Sequence, residues 1–200
     1  MRKWLTDIQW CSWCWNTLII ASIKKAFEEL DIKSHKRVVV SWIWCSWKAS
    51  QYIDWYAAET LHWRTLPFAT WIKIVKPELT VLAVWWDGDW YWIWVWHFIH
   101  SCKRNLDINY IVMDNENYAL TTWQASPTTP IWAKTKTTPE WNIQEPFDPI
   151  KIAKDAWCTF AKFSDSKNFI EMKDLIKEAI QHKWFSLINI KQACPSYRRW

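Results

Sequence analysis

A chain of 200 residues with a single glycine has almost no ordinary means of making tight turns. Glycine alone enters the left-handed region at little cost, and average usage near 7% would supply about 14 of them. Tryptophan, in contrast, occurs 22 times. The tryptophans stand where glycines are expected: Trp42, Trp44 and Trp47 around Cys45, Trp85 and Trp86 before Asp87, then Trp90, Trp92, Trp94 and Trp96. An indole at every tight turn conflicts with turn chemistry. The pattern is that of a glycine-rich parent carrying tryptophan at nearly every glycine, with the remainder of the sequence intact.

That remainder is half hydrophobic and 22% charged, enough apolar material for a sizeable core and unlike a disordered chain. One domain over residues 1–200 is expected. The net charge of +5 is spread along the sequence, which argues against nucleic acid as a partner. Met1–Gln9 is short, mixed and charged, unlike a secretory leader. The most apolar stretch, Leu79–Ile99, is broken by Asp87 and Asp89, so no membrane span is expected. Six unevenly spaced cysteines do not resemble a disulfide scaffold, and a reducing cytoplasm fits them better.

Asn16 and Thr17 are candidate caps for a helix to about Leu30, striped by Leu18, Ile19, Ile23, Ala26, Phe27 and Leu30. Arg37–Ser41 reads as a buried strand, with a loop over Trp42–Ser46 and an amphipathic helix over Ser50–Glu59. Leu79–Val84 is a second strand, ending in a turn at Trp85-Trp86-Asp87-Gly88-Asp89. A helix over Tyr91–Lys103 and a strand over Asp107–Met113 follow, the latter ending in Asp114-Asn115-Glu116-Asn117-Tyr118. Thr121–Pro149, rich in Thr, Pro and Ser, reads as a long functional loop. Helices over Ile150–Ala156 and Phe169–His182 and a strand over Phe185–Ile190 complete the chain. Alternating strands and helices predict an α/β fold, an open and mostly parallel sheet with flanking helices. In such folds ligands lie at the carboxyl ends of strands, where every polar cluster falls.

Two clusters carry chemistry. Cys11 and Cys14 form a C-x-x-C pair, while Cys45 and Cys194 each follow a strand. Four thiolates from such loops suit zinc or an iron–sulfur cluster, and buried free thiols are the plain alternative. Cys102 and Cys158, in apolar contexts, read as core residues. Asp87-Gly88-Asp89 ends one strand and Asn115 ends the next, 28 residues after Asp87. A carboxylate, an amide oxygen and a backbone carbonyl make a shell suited to Mg2+, and a helix start beside them suits a diphosphate. Ordinary turn chemistry explains the same residues equally well.

Taken together, the motifs resemble the beta subunit of 2-oxoacid:ferredoxin oxidoreductases, the pyruvate synthase type. The segments that carry the resemblance are Trp10-Cys11-Ser12-Trp13-Cys14-Trp15-Asn16, Ile43-Trp44-Cys45-Ser46-Trp47-Lys48, Leu61-His62-Trp63-Arg64-Thr65-Leu66-Pro67, Trp86-Asp87-Gly88-Asp89-Trp90, Met113–Tyr118, Leu120–Thr128 and Cys194-Pro195-Ser196. The family normally has Gly where this chain has Trp at 13, 15, 44, 47, 63, 86, 90 and 123. Family members usually continue well beyond Cys194, which makes this chain resemble a truncated form, and Lys162–Lys167 resembles a shortened stretch.

The resemblance implies a thiamine diphosphate-binding fold. Asp87, Gly88, Asp89, Asn115, Asn117 and Tyr118 would surround the cofactor, with Asp87, Asn115 and the Asn117 carbonyl as ligands of Mg2+. It implies a 4Fe-4S cluster on Cys11, Cys14, Cys45 and Cys194, with Cys45 also close to the cofactor. His62, Arg64 and Lys48 are implied near the substrate or the pyrimidine end, with surface charge as their plain reading. The implied reaction is oxidative decarboxylation of a 2-oxoacid, pyruvate favoured, with coenzyme A and ferredoxin. The implied partners are an alpha subunit, which would supply the glutamate that contacts the aminopyrimidine, and gamma and delta subunits as further candidates. The alternatives are another thiamine enzyme of the decarboxylase or acetolactate synthase type, a non-catalytic zinc module, and an inactive variant of the family.

Overall fold

The structure, a computed structural model, describes residues 10–42, 44–54, 56–62, 64–90 and 95–197. Its frame is a six-stranded sheet whose strand pairs are all parallel. The strands are β1 (Arg37–Ser41), β2 (Tyr56–Glu59), β3 (Thr80–Trp86), β4 (Asn109–Asp114), β7 (Phe160–Asp165) and β8 (Ser186–Lys191), in the order β2-β1-β3-β4-β8-β7. Between β4 and β7 a two-stranded antiparallel ribbon pairs β5 (Asn117–Tyr118) with β6 (Gln124–Ala125).

Side chains of the central strands alternate between two cores, as the pleat requires. Val39, Leu82, Val84, Ile111, Met113, Ile188 and Ile190 face helices α1 (Asn16–Glu29) and α6 (Phe169–Gln181). Val38, Val40, Ala83, Tyr110, Val112 and Leu187 face the other layer, where α2 (Thr65–Val75), α4 (Val95–Arg104) and α5 (Pro149–Asp155) supply Leu66, Phe98 and Ala153. Coverage on both faces explains the near-continuous apolar strands. Two helix starts follow cap chemistry. Asp148 accepts from the Ile150 and Lys151 amides ahead of Pro149. Asn168 caps α6 by accepting from Glu171 N through Oδ1, while its side-chain amide donates to the Glu171 carboxylate.

The expected α/β architecture is present, with local differences. Ser50–Glu59 is not a helix: a 3-10 helix spans Trp44–Gln51, and Tyr56–Glu59 is edge strand β2. Tyr-Ala-Ala-Glu has a helical composition, but parallel pairing with β1 decides its conformation. Trp85 and Trp86, expected in a turn, continue β3 and are buried. A short helix, α3 (Asp87–Trp90), follows at once, and α4 begins at Val95, so residues 91–94 of the expected helix lie outside the described residues. Strand β7 and helix α2 were not expected. β7 is an edge strand with mixed burial, which hides its period. Asn16 does not cap α1: Trp15 holds that position without a side-chain cap, and the Asn16 amide donates to Cys45 O instead. Cys102 and Cys158 are core residues, as expected.

Strand order sets the location of the site. After β1 the chain moves outward to β2, then returns to place β3 on the other side of β1. Chain connections diverge here, opening a crevice at the carboxyl ends of β1 and β3. The segment bearing Cys45 leaves β1 there, and Asp87 leaves β3. Asn115 leaves β4, and Cys194 follows β8, which pairs with β4.

Candidate active site

Cys11, Cys14, Cys45 and Cys194 line one cavity of about 160 Å³, together with Asn16, Asn115, Ala119 and Leu120. The first two lie in a tight turn closed by Cys14 N donating to Cys11 O at 3.1 Å. Cys45 is fixed through its carbonyl, which accepts from Trp10 Nε1 at 2.8 Å and Asn16 Nδ2 at 3.0 Å. Ser196 Oγ lies 3.2 Å from Cys11 Sγ, tying the segment after β8 to the N-terminal turn. Burial pushes the Cys14 thiol up to about 11, opposed by the Asn16 amide and reinforced by Cys11 and Cys194. Burial also pushes Cys45 up to about 12, with Cys14, Cys194, Cys11 and Asp87 adding to it. Two buried thiols held in their protonated form beside two further cysteines make a site where thiolates need a cation. Among the described residues no three His, Cys, Asp or Glu side chains converge closely enough to hold a single metal ion. The thiols surround a volume rather than a point.

The second region is an acidic turn. Asp87 is fully buried; Oδ1 accepts from Asn115 N at 3.0 Å and Oδ2 lies 2.9 Å from Thr128 Oγ1. The same hydroxyl lies 2.9 Å from Asp114 Oδ1, whose other oxygen accepts from Asn189 Nδ2 at 3.0 Å. A hydroxyl has one proton, so it donates to one carboxylate at a time. Burial raises the Asp87 carboxyl well above its usual range, and Asp114 adds to the effect. A divalent cation would relieve that cost. Asn117 donates through Nδ2 to Asn115 O, while its own buried Oδ1 has no partner among the described residues.

The donor set suits Mg2+, but Trp86 obstructs it. The Trp86 indole donates to Asn115 Oδ1 at 2.6 Å, and Asn117 N donates to the same oxygen at 3.3 Å. Both lone pairs of that oxygen are therefore used. The indole ring also fills the space where a Cβ on Gly88 would stand and packs edge-on to Tyr118, with centroids 4.9 Å apart. Tyr118 OH donates to Gly88 O. The space over the Asp87-Gly88 turn is filled by these two rings.

The segment 121–149 is folded over this turn. Thr129 Oγ1 donates to Glu116 O at 2.6 Å, and buried Asn142 donates to Thr129 O at 2.8 Å. A larger cavity of about 520 Å³ lies alongside, lined by Glu116, Asn117, Thr129, Lys134, Ser196 and Tyr197 among others. Asp114 and Thr128 belong to family-like segments but were given no role from the sequence, and Asn142 and Asn189 were not named. Each is an ordinary polar residue whose role depends on strands far apart in the chain. His62 packs edge-on against Trp42 at 4.6 Å, Arg64 stands exposed at the start of α2, and Lys48 lies in the 3-10 helix after Cys45. None of the three lines either cavity. Asp89 lies in α3 with Asp87 and Gly88.

Residues 31–190 match the family described as thiamine pyrophosphate enzyme, C-terminal TPP binding domain. The 2-oxoglutarate synthase subunit KorB of Archaeoglobus fulgidus is 40% identical over 199 residues, which cover 100% of this chain and 74% of that protein. The chain belongs to the beta-subunit family of 2-oxoacid:ferredoxin oxidoreductases. Another member, subunit beta of 2-oxoacid:ferredoxin oxidoreductase 2 from Aeropyrum pernix, is 37% identical over 98% of this chain and 65% of its own length. The solved 2-oxoglutarate:ferredoxin oxidoreductase from Magnetococcus marinus, with 2-oxoglutarate, coenzyme A and succinyl-CoA bound, superposes with a TM-score of 0.94 at 30% identity. That match covers 97% of this chain and 67% of the other. The family is one of oxidoreductases, and the sheet with helices on both faces is its thiamine-binding fold. No helix among the described residues is long and apolar enough to cross a membrane.

Proposed function

We propose that this chain is the cofactor-bearing half of a 2-oxoacid:ferredoxin oxidoreductase, working with an alpha subunit, coenzyme A and ferredoxin. Asp87, Asn115 and Asn117 would hold Mg2+ and, through it, the diphosphate of thiamine diphosphate. Cys11, Cys14, Cys45 and Cys194 would hold a 4Fe-4S cluster. When bound, the two cofactors supply the carbon chemistry of decarboxylation and a one-electron acceptor for what it releases. The chain's own residues position and insulate. The Asp87 carboxylate fixes the turn through Asn115 N, Thr128 pins the covering segment to it, and the closed segment limits water above the turn.

The observation that carries this reading is a shared wall. Asn115, expected at the cofactor metal, also lines the four-thiol cavity, and Asp87 is close enough to Cys45 to raise its thiol. Such proximity suits electron transfer between the two groups. Anaerobic reconstitution with iron and sulfide tests this reading. Cys45→Ala and Cys194→Ala should lose the absorbance of the cluster while Cys102→Ala keeps it; zinc bound without iron would reject the assignment.

The substrate is a 2-oxoacid, and 2-oxoglutarate is favoured over the pyruvate expected from the sequence, since the Archaeoglobus fulgidus and Magnetococcus marinus proteins are named for it. Turnover of a panel of 2-oxoacids by the assembled heteromer decides this, and a clear preference for pyruvate would overturn it.

A further inference from the structure

The described tryptophans fall into groups that tryptophan chemistry does not explain. Trp13, Trp123, Trp132 and Trp157 have φ of 64°, 73°, 70° and 64°. In that left-handed region a Cβ is strained, and a bulky side chain there is an outlier. Three of those four indoles are also displayed to solvent, Trp13 at 93%, Trp157 at 71% and Trp132 at 69% exposure. Trp42 and Trp85 show the opposite fault: both are buried, and neither indole N–H has a partner among the described residues. A buried indole usually finds an acceptor. Trp86 finds one only by taking the amide oxygen expected to bind metal. Trp10 behaves differently. Its N–H donates to Cys45 O at 2.8 Å, and its ring packs on Tyr52 with centroids 4.7 Å apart.

We infer that the working polypeptide carries glycine at Trp13, Trp42, Trp85, Trp86, Trp123, Trp132 and Trp157, keeps tryptophan at Trp10, and has an open metal–diphosphate turn because residue 86 has no side chain. One cause covers the set. A codon read as tryptophan in one genetic code and as glycine in another would produce the whole set, and a tryptophan codon shared by both codes would leave Trp10 unchanged. Separate replacements would need the same change at site after site, in a chain that still aligns with a family member over its whole length at 40% identity. Glycine removes the strain at the four left-handed positions and the orphaned N–H groups in the core. At 86 it frees a lone pair of Asn115 Oδ1 and clears the space between Gly88 and the Tyr118 ring, where only backbone would remain.

The part concerning the turn rests on the thiamine reading; the part concerning residue identity does not, and two measurements separate them. Peptide masses of the protein isolated from its own cells should show glycine at the seven positions and tryptophan at 10. Tryptophan at the seven would overturn the inference. Magnesium-dependent thiamine diphosphate binding is then titrated, each chain assembled with its alpha subunit, for the glycine-bearing protein and for the same protein retaining Trp86. Retaining Trp86 should weaken binding by more than the about 10–100-fold that loss of an outer-shell partner costs a metal site. Equal binding would overturn the claim about the turn. Glycine in the native peptides together with a folded glycine-bearing heteromer that binds no thiamine diphosphate would reject the cofactor reading and leave the residue identities standing.

Discussion

The four-thiol cavity and the acidic turn lie side by side at the carboxyl ends of the strands, yet they are in opposite states. Around the cavity, four donors from three distant segments leave a volume of about 160 Å³ between them. At the turn, the donors are equally well placed, but every oxygen of Asp87 and the amide oxygen of Asn115 is engaged by the protein itself. Donor identity and placement are the same kind of asset in both. The difference is room, and one indole removes it from the turn.

The largest expected effect is a double dissociation in the glycine-bearing protein. Asp87→Ala should abolish magnesium-dependent thiamine diphosphate binding and leave iron content unchanged, whereas Cys45→Ala should do the reverse. If either substitution removed both cofactors, the two regions would form one unit and the contrast would collapse.

Thr128 sharpens the comparison from the side of the turn. Thr128→Val leaves Asp87 and Asp114 facing each other without their shared hydroxyl, and stability should drop by about 1–3 kcal/mol, with Thr128→Ser restoring it. Chemical denaturation measures this, and an unchanged midpoint for the valine variant would show that the hydroxyl is not needed there.

The cavity should be sensitive to pH in a defined direction. Cys14 and Cys45 sit at about 11 and about 12, above the 9.0 of a free thiol. Their protonated forms therefore support the fold below the free value, and that support is lost as pH rises through the folded values. Without a cluster both should alkylate slowly near neutrality and faster as pH rises; rapid alkylation near neutrality would mean that thiolates are already present.

The smallest effect lies far from both sites. Glu29, on α1, accepts from Lys173 and Lys177 of α6, and these contacts hold its carboxyl below the usual range. Its contribution is present above the unfolded carboxylate pKa and is lost as pH falls through the depressed value. Glu29→Gln should flatten the acid limb of the stability curve slightly, and high salt should hide the difference.

Much of this molecule was legible before its structure. The apolar stripes of α1 and α6 and the Val-rich and Ile-rich central strands carry their own period, because burial on one or two faces writes itself into the residues. The cysteines, Asp87 and Asn115 were legible for another reason: their chemistry is rare enough to stand out. Edge strands β2 and β7 were not, since half of each faces solvent and their pairing comes from a neighbour. The roles of Thr128, Asp114 and Asn189 were hidden too, because a common residue gains its role only when β3, β4, β8 and the covering segment meet.

Sequence alone determined which atoms were available to bind metal, and that glycine was missing where turns need it. Tertiary structure alone decided which donors share a wall and which lose their lone pairs to a neighbour. The physical reason is that coordination depends on distances and free volume, and parallel strand order brings together residues as far apart as Cys11 and Ser196.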